Sequence, residues 1–172
     1  MNDTLKAPIV LTLISGTVCG LLAVGNEITK DKIAQTEEKA FQQSLISAFG
    51  ESSYTPLSYT YDGVNQVISD ESGRLIFDVT STGYEKDGQR LLIGLDADGS
   101  VCGISVVAIA DSPTQAAKVQ EESFLSQFLG LKQKVDKIDA VSGATRSSEG
   151  IHKAVSLVLD TYQAHKEELE HG

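Results

Sequence analysis

Arg74-Leu-Ile-Phe-Asp-Val-Thr-Ser-Thr82, Gln89-Arg-Leu-Leu-Ile-Gly-Leu-Asp96 and Val101-Cys-Gly-Ile-Ser-Val-Val-Ala-Ile-Ala110 are three β-rich runs, separated by short segments holding Gly83, Gly88 and Gly99. Branched apolar residues in short runs, bounded by glycine-containing turns, predict strands joined by tight connections. Two further runs, Tyr54–Tyr61 and Val64–Ser69, precede them, with Gly63 and Gly73 as punctuation. The five together read as an antiparallel meander. Asp96-Ala-Asp-Gly99 reads as a plain hairpin turn, because a calcium loop needs a third acidic position and a distal Glu that are missing.

Helical patterns lie on both sides of the strands. From Asn26 to Phe49, Ile33, Phe41, Leu45 and Phe49 recur at spacings of four or eight, and Gly50 is placed to stop the helix. After the strands, one helix is expected from about Thr114 to Leu129. The last runs from about Ser148 to His165, with Ile151, Val155, Val158, Leu159 and Tyr162 as its apolar stripe. Strands followed by helices predict an α+β fold, with helices packed on one side of a mostly antiparallel sheet. There is no internal repeat and no low-complexity linker.

The N-terminal stretch Pro8-Ile-Val-Leu-Thr-Leu-Ile-Ser-Gly-Thr-Val-Cys-Gly-Leu-Leu-Ala-Val-Gly25 carries no charge. At about 1.5 Å per residue it is long enough to cross a ~30 Å hydrocarbon core as a helix. Gly16 and Gly20 give it a small-xxx-small face suited to a partner helix. The expected layout is a short flank over 1–7, a retained transmembrane helix over 8–25, a membrane-proximal helix over 26–50 and a folded domain over 51–172. A cleaved signal ending at Ala23-Val24-Gly25, a lipid anchor at Cys19 and a buried core helix are the alternatives. Lys6 stands against Glu27, Lys30, Asp31 and Lys32, so charge does not set the orientation. Cys19 and Cys102 are expected not to bridge.

The 172 residues include 14 basic and 24 acidic side chains, a net charge of −10, all of it downstream of Asn26. This balance excludes nucleic acid and anionic lipid headgroups as main partners, since both require clustered Lys and Arg. The catalytic inventory is thin. His152 and His165 fall on the last helix and His171 beside the terminus, and all three are expected to be exposed. No metal-ligand spacing, nucleophile–base signature, P-loop or GxGxxG is present. No catalytic residue and no metal site are expected, and any redox or group-transfer chemistry must come from a cofactor.

Asp139-Ala-Val-Ser-Gly-Ala-Thr-Arg-Ser-Ser148 lies between an extended piece and the last helix. Ser142, Gly143 and Ala144 are small enough to let a bulky group approach the backbone, and Gly143 is free to take a positive φ. Just upstream of a helix start, such a loop offers backbone N–H groups and the positive dipole end to a phosphate, with Arg146 adding a charged contact. An ordinary loop with Ser147 or Ser148 as helix N-cap stands beside that reading.

Asp139-Ala-Val-Ser-Gly-Ala-Thr145 resembles the flavinylation motif of the FMN-binding domain family, Asp-x-x-Ser/Thr-Gly-Ala-Thr/Ser. Gly83-Tyr84, Asp98-Gly99 leading into Gly103–Val107, and Phe124 followed by Gln127-Phe-Leu-Gly130 fall in the same order and spacing. Where that family has Glu-Thr-Pro-Gly-Leu-Gly, this chain has Asp111-Ser-Pro-Thr-Gln-Ala116, which keeps the acid, hydroxyl and proline positions; Ser147-Ser148 replaces a Thr-Ser pair.

The resemblance implies an FMN-binding domain over 51–172, with FMN covalently joined to Thr145 through a phosphoester by a separate flavin transferase that requires Asp139. It also implies Ser142, Gly143, Ala144 and Arg146 as cofactor-binding residues, and Tyr84, Ser112 and Thr114 as further flavin contacts. The implied role is an electron-transfer subunit, without its own catalytic site, of an ion-translocating (Na+ or H+) ferredoxin:NAD+ oxidoreductase complex of the Rnf type. An equivalent subunit of a Na+-translocating NADH:quinone oxidoreductase, or a membrane-tethered FMN-binding sensory module, is the alternative. The implied partners are the membrane and iron–sulfur or flavin subunits of the same complex. The implied location is the cytoplasmic (inner) membrane, single-pass, with the flavin domain on the outer, periplasmic face.

Overall fold

Alternation along strand β3 (Leu75–Ser81) shows how the domain is layered. Leu75, Phe77 and Val79 point to one face of the sheet and Ile76 and Asp78 to the other, and all five are buried. A strand buried on both faces needs a layer of structure on each. In the computed structural model, which describes residues 11–12, 15–19, 32 and 35–171, both layers are present. Five strands, β1 (Thr55–Leu57), β2 (Val64–Ser69), β3, β4 (Gln89–Leu95) and β5 (Val101–Ile109), form one antiparallel sheet in chain order. This is the expected meander, although β1 keeps only three residues of the Tyr54–Tyr61 run. The turn after β4 is the expected hairpin: Gly99 has φ +78° and donates to Asp96 O at 2.8 Å.

The chain divides into two units, Met1–Phe41 and Gln42–Gly172. In the first, helical residues are described at 11–12, 15–19, 32 and 35–41. The rest of the expected transmembrane segment, and Ile33, lie outside the described residues. Among the described residues, no helix is long and apolar enough to cross a membrane.

In the second unit, the face carrying Leu75, Phe77 and Val79 is covered by a helix of 20 residues, α4 (Thr145–Ala164). Its predicted stripe, Ile151, Val155, Val158, Leu159 and Tyr162, is buried throughout. The opposite face is met by α1, the helical stretch over residues 42–49. There Gly94 and Gly103 sit side by side in the β4–β5 register, and the Phe49 ring fills the space they leave. A Cβ on Gly94 would lie 2.3 Å from Phe49 Cε1, and one on Gly103 2.9 Å from it. Helices therefore pack on both faces, a departure from the one-sided arrangement expected. Gly50, with φ +88°, ends α1 as expected, its N–H donating to Ile46 O at 2.9 Å.

The single helix expected over Thr114–Leu129 is in fact three pieces: α2 (Pro113–Val119), α3 (Glu122–Leu125) and a 3-10 turn over Ser126–Phe128. The chain ends with α5 (Lys166–His171). Val119, Phe124 and Phe128 are all buried. In a continuous helix Val119 and Phe124 would point about 140° apart, at roughly 100° per residue. The extended backbone at Glu121 (ψ 137°) lets both face the core.

Candidate functional site

The last helix begins at Thr145, three residues earlier than expected, with Ala144 (φ −134°, ψ 30°) as N-cap and no side-chain cap. The reason lies in the loop. Gly143 takes φ +79°, a conformation that costs other residues about 1 kcal/mol or more. This turns the chain so that Ala144 N–H donates to Val141 O at 2.9 Å. The buried Ser148 hydroxyl then donates to Ala144 O and accepts from Val141 N–H, both at 3.0 Å. Ser148 is thus a helix-interior residue that ties down the loop, and neither it nor Ser147 is the N-cap. The first-turn N–H groups of Thr145, Arg146 and Ser147 have no intrahelical acceptor, and the first turn holds no acidic residue. Their positive end is open to an anion.

Ser147, also buried, holds the first turn from two sides. Its hydroxyl donates to the Asp111 carboxylate, and its carbonyl accepts from Gln89 Nε2 at 3.1 Å. Gln89 is 1% exposed, and its Oε1 accepts from Ser81 Oγ at 3.1 Å. The amide is wedged between two glycines. A Cβ on Gly83 would lie 2.4 Å from Gln89 Nε2, and one on Gly150 2.3 Å from Oε1 and 2.9 Å from Thr82 O. The β3–β4 connection and α4 can both lie this close to the Gln89 amide only because Gly83 and Gly150 lack side chains.

Two cations flank the loop. Lys118, in the last turn of α2, donates from Nζ to Ser142 O at 3.2 Å, and the Arg146 guanidinium lies 5.9 Å from the centre of the Tyr84 ring. Tyr84 is 60% exposed, an aromatic face left open beside the helix start. The Thr145, Ser142 and Arg146 side chains are exposed, whereas Ala144 is buried.

The structure therefore brings Ser142, Gly143, Ala144, Thr145, Arg146 and Tyr84 into one neighbourhood. Ser112 is the N-cap of α2 and Thr114 lies in its first turn; both are exposed, and among the described residues neither side chain hydrogen-bonds to the loop. Asp139 is exposed and is held through its backbone, its N–H donating to Gln127 Oε1 at 3.0 Å. It borders a cavity of about 220 Å³ with Phe124, Gln127 and Val141. His152 is half-buried, contrary to expectation, with Nε2 2.7 Å from Val135 O. His165 is exposed as expected, and the His171 side chain lies outside the described residues.

Sequence reasoning missed Gln89, Lys118 and the Asp111–Ser147 pair. Gly150 was the available signal, since a glycine inside a striped helix marks a close approach.

This arrangement fits a flavin mononucleotide: helix amides without an intrahelical acceptor and a cation for a phosphate, small residues where the backbone must be approached, and an exposed ring of the kind aromatic systems stack on. No curated protein matches the chain. The family model of the FMN-binding domain matches residues 83–160, a span that runs from the Gly83-Tyr84 turn into α4 and includes every residue placed around Thr145. Sequence match and loop geometry together support the FMN-binding domain family as the family of this segment, and with it a flavin-binding module.

Proposed function

We propose that the chain is an electron-transfer subunit carrying FMN on Thr145 through a phosphoester. The observation that carries the reading is the position of Thr145: an exposed hydroxyl at the first residue of α4, where the backbone amides are unpaired and no carboxylate stands in the first turn. On attachment Thr145 Oγ1 gives up its proton and becomes bonded to phosphorus, while the bond from phosphorus to the leaving part of an activated flavin nucleotide breaks and that leaving group takes the proton. No electrons are exchanged in this step. The first-turn amides and Arg146 then hold the phosphate charge, and Tyr84 offers an aromatic face. FMN supplies the redox chemistry when bound, and no general base of this chain is required.

In the fuller form of the proposal, the chain is the G subunit of an Rnf-type ferredoxin:NAD+ oxidoreductase complex that moves Na+ or H+. It would be anchored by residues 8–25 in the cytoplasmic membrane, with the flavin domain on the outer face. A flavin transferase that reads Asp139 would mature it, and the membrane and iron–sulfur or flavin subunits of the complex would be its electron partners. Support comes from the uncharged N-terminal stretch and the Asp139–Thr145 motif.

The test is coexpression with a flavin transferase followed by denaturation. Flavin absorbance and in-gel fluorescence should survive in the wild type, map by peptide mass to the segment containing Thr145, and disappear in Thr145→Ala. Flavin that washes out of the denatured wild-type chain overturns the proposal.

A further inference from the structure

We infer that Lys118 is a positioning residue for flavin attachment, its ammonium poised to neutralise the phosphate on Thr145; this rests on the reading of Thr145 as the flavin-bearing residue. Three observations converge on it. First, α2 is fixed in place by its buried residues Ala116 and Val119, and this seats the half-buried Lys118 against the loop. Second, Nζ donates to Ser142 O at 3.2 Å and lies 3.5 Å from the point a Cβ on Gly143 would occupy, so the charge sits on the segment that leads into Thr145. An ammonium has three N–H donors, and Ser142 O takes one of them.

The third observation is the lack of any counter-ion. In a chain with 24 acidic and 14 basic residues, Arg74 is paired with Asp70, Arg90 with Asp78, Lys132 with Asp98 and Lys134 with Asp160. Among the described residues, Lys118 and Arg146 have no carboxylate within 4.0 Å, as is also true of the exposed Lys86, Lys137 and Lys153; Lys118 differs from those three in being half-buried against the loop, with Asp111 close enough to bind Ser147. Two cations without carboxylates, one against the loop and one in the first turn of α4, are opposite in sign to the single negative charge of a phosphate diester and more than balance it. Lys118 and Arg146 come from different elements, so the loop can receive the phosphate only when α2 and α4 are both in place.

The test compares Lys118→Arg, Lys118→Gln and Lys118→Ala, each coexpressed with the transferase, with covalent flavin read by intact mass. The charge role predicts loading within about twofold of wild type for Lys118→Arg and at least tenfold lower for Lys118→Gln and Lys118→Ala. Gln can still donate a hydrogen bond towards Ser142 O, so a charge role and a clamping role part here. Loading of Lys118→Gln at the wild-type level overturns the inference while leaving the assignment of Thr145 intact; absence of covalent flavin in the wild type overturns both. Amide exchange over 141–147 in the unloaded chain supplies the second readout. It should stay within about twofold of wild type in Lys118→Gln, and a rise above tenfold would trace the lost loading to a disordered loop and reject the charge role.

Discussion

The Gln89 side chain is the residue on which the position of Thr145 depends. It crosses from the first residue of β4 to the first turn of α4, accepting from Ser81 and donating to Ser147 O, and is 1% exposed. Gln89→Ala removes a buried amide, takes the side-chain donor from the Ser147 carbonyl, leaves the Ser81 hydroxyl without its acceptor and opens a cavity, a loss of about 2–4 kcal/mol. The expected result is a fall in melting temperature of roughly 5–10 °C together with reduced covalent flavin. An unchanged melt would show that the amide is dispensable. Residues of this kind are hard to read in a sequence because their partners are remote: Gln89 and Ser147 are separated by 58 positions, Asp111 and Ser147 by 36, Lys118 and Ser142 by 24. The positive φ of Gly143 was legible because it depends on immediate neighbours, a turn before a helix start, whereas Thr145 was singled out only through the Asp139–Thr145 motif.

At the scale of elements, strands and the α4 stripe were legible because their periodicity reports burial on one face. The helix ends were less so. The break between α2 and α3 falls at Gln120-Glu121, where no glycine or proline marks it; the core's demand for Val119 and Phe124 on the same side makes it. The start of α4 was misplaced because Ser147 and Ser148 look like caps, yet the Ser147 hydroxyl is bonded to the remote Asp111 carboxylate and the Ser148 hydroxyl to Ala144 O. Phe49 was expected on the buried side of its helix, but its partner surface was not: Gly94 and Gly103 lie in strands and read there as small residues without a role. Gly94→Ala should expel the ring, with a cost of about 1–3 kcal/mol for overpacking. Limited proteolysis and amide exchange should locate the loosening in residues 42–50. Exchange rising evenly over the whole domain instead would mean that Phe49 is not the part displaced.

For the whole molecule, one partly buried thiol makes stability depend on alkaline pH. Cys102 is a free thiol in β5, and burial, with the Asp96 carboxylate as a second cause, pushes its pKa up from 9.0 to about 11. The folded state therefore holds this proton more tightly than the unfolded chain. Between those two values the unfolded chain loses its proton first, so stability falls as pH rises through that window and is unaffected well below it. Two outcomes are expected: at pH 8 native Cys102 alkylates at least tenfold more slowly than in denaturant, and Cys102→Ala has a flatter melting profile between pH 9 and 11. Site-resolved mass spectrometry distinguishes it from Cys19. Equal rates in the folded and unfolded chain would show the thiol to be open to solvent.

The regularity of α4 has an optical consequence. The chain has no tryptophan, and α4 runs without a break from Thr145 to Ala164. Asp160, exposed on that helix, lies about 22 Å along its axis from Thr145 at roughly 1.5 Å per residue. An indole placed at Asp160 would be the sole emitter of its kind, at a separation from Thr145 fixed by the helix itself. The helix would thus serve as a spectroscopic ruler, graduated from the residue proposed to carry the flavin.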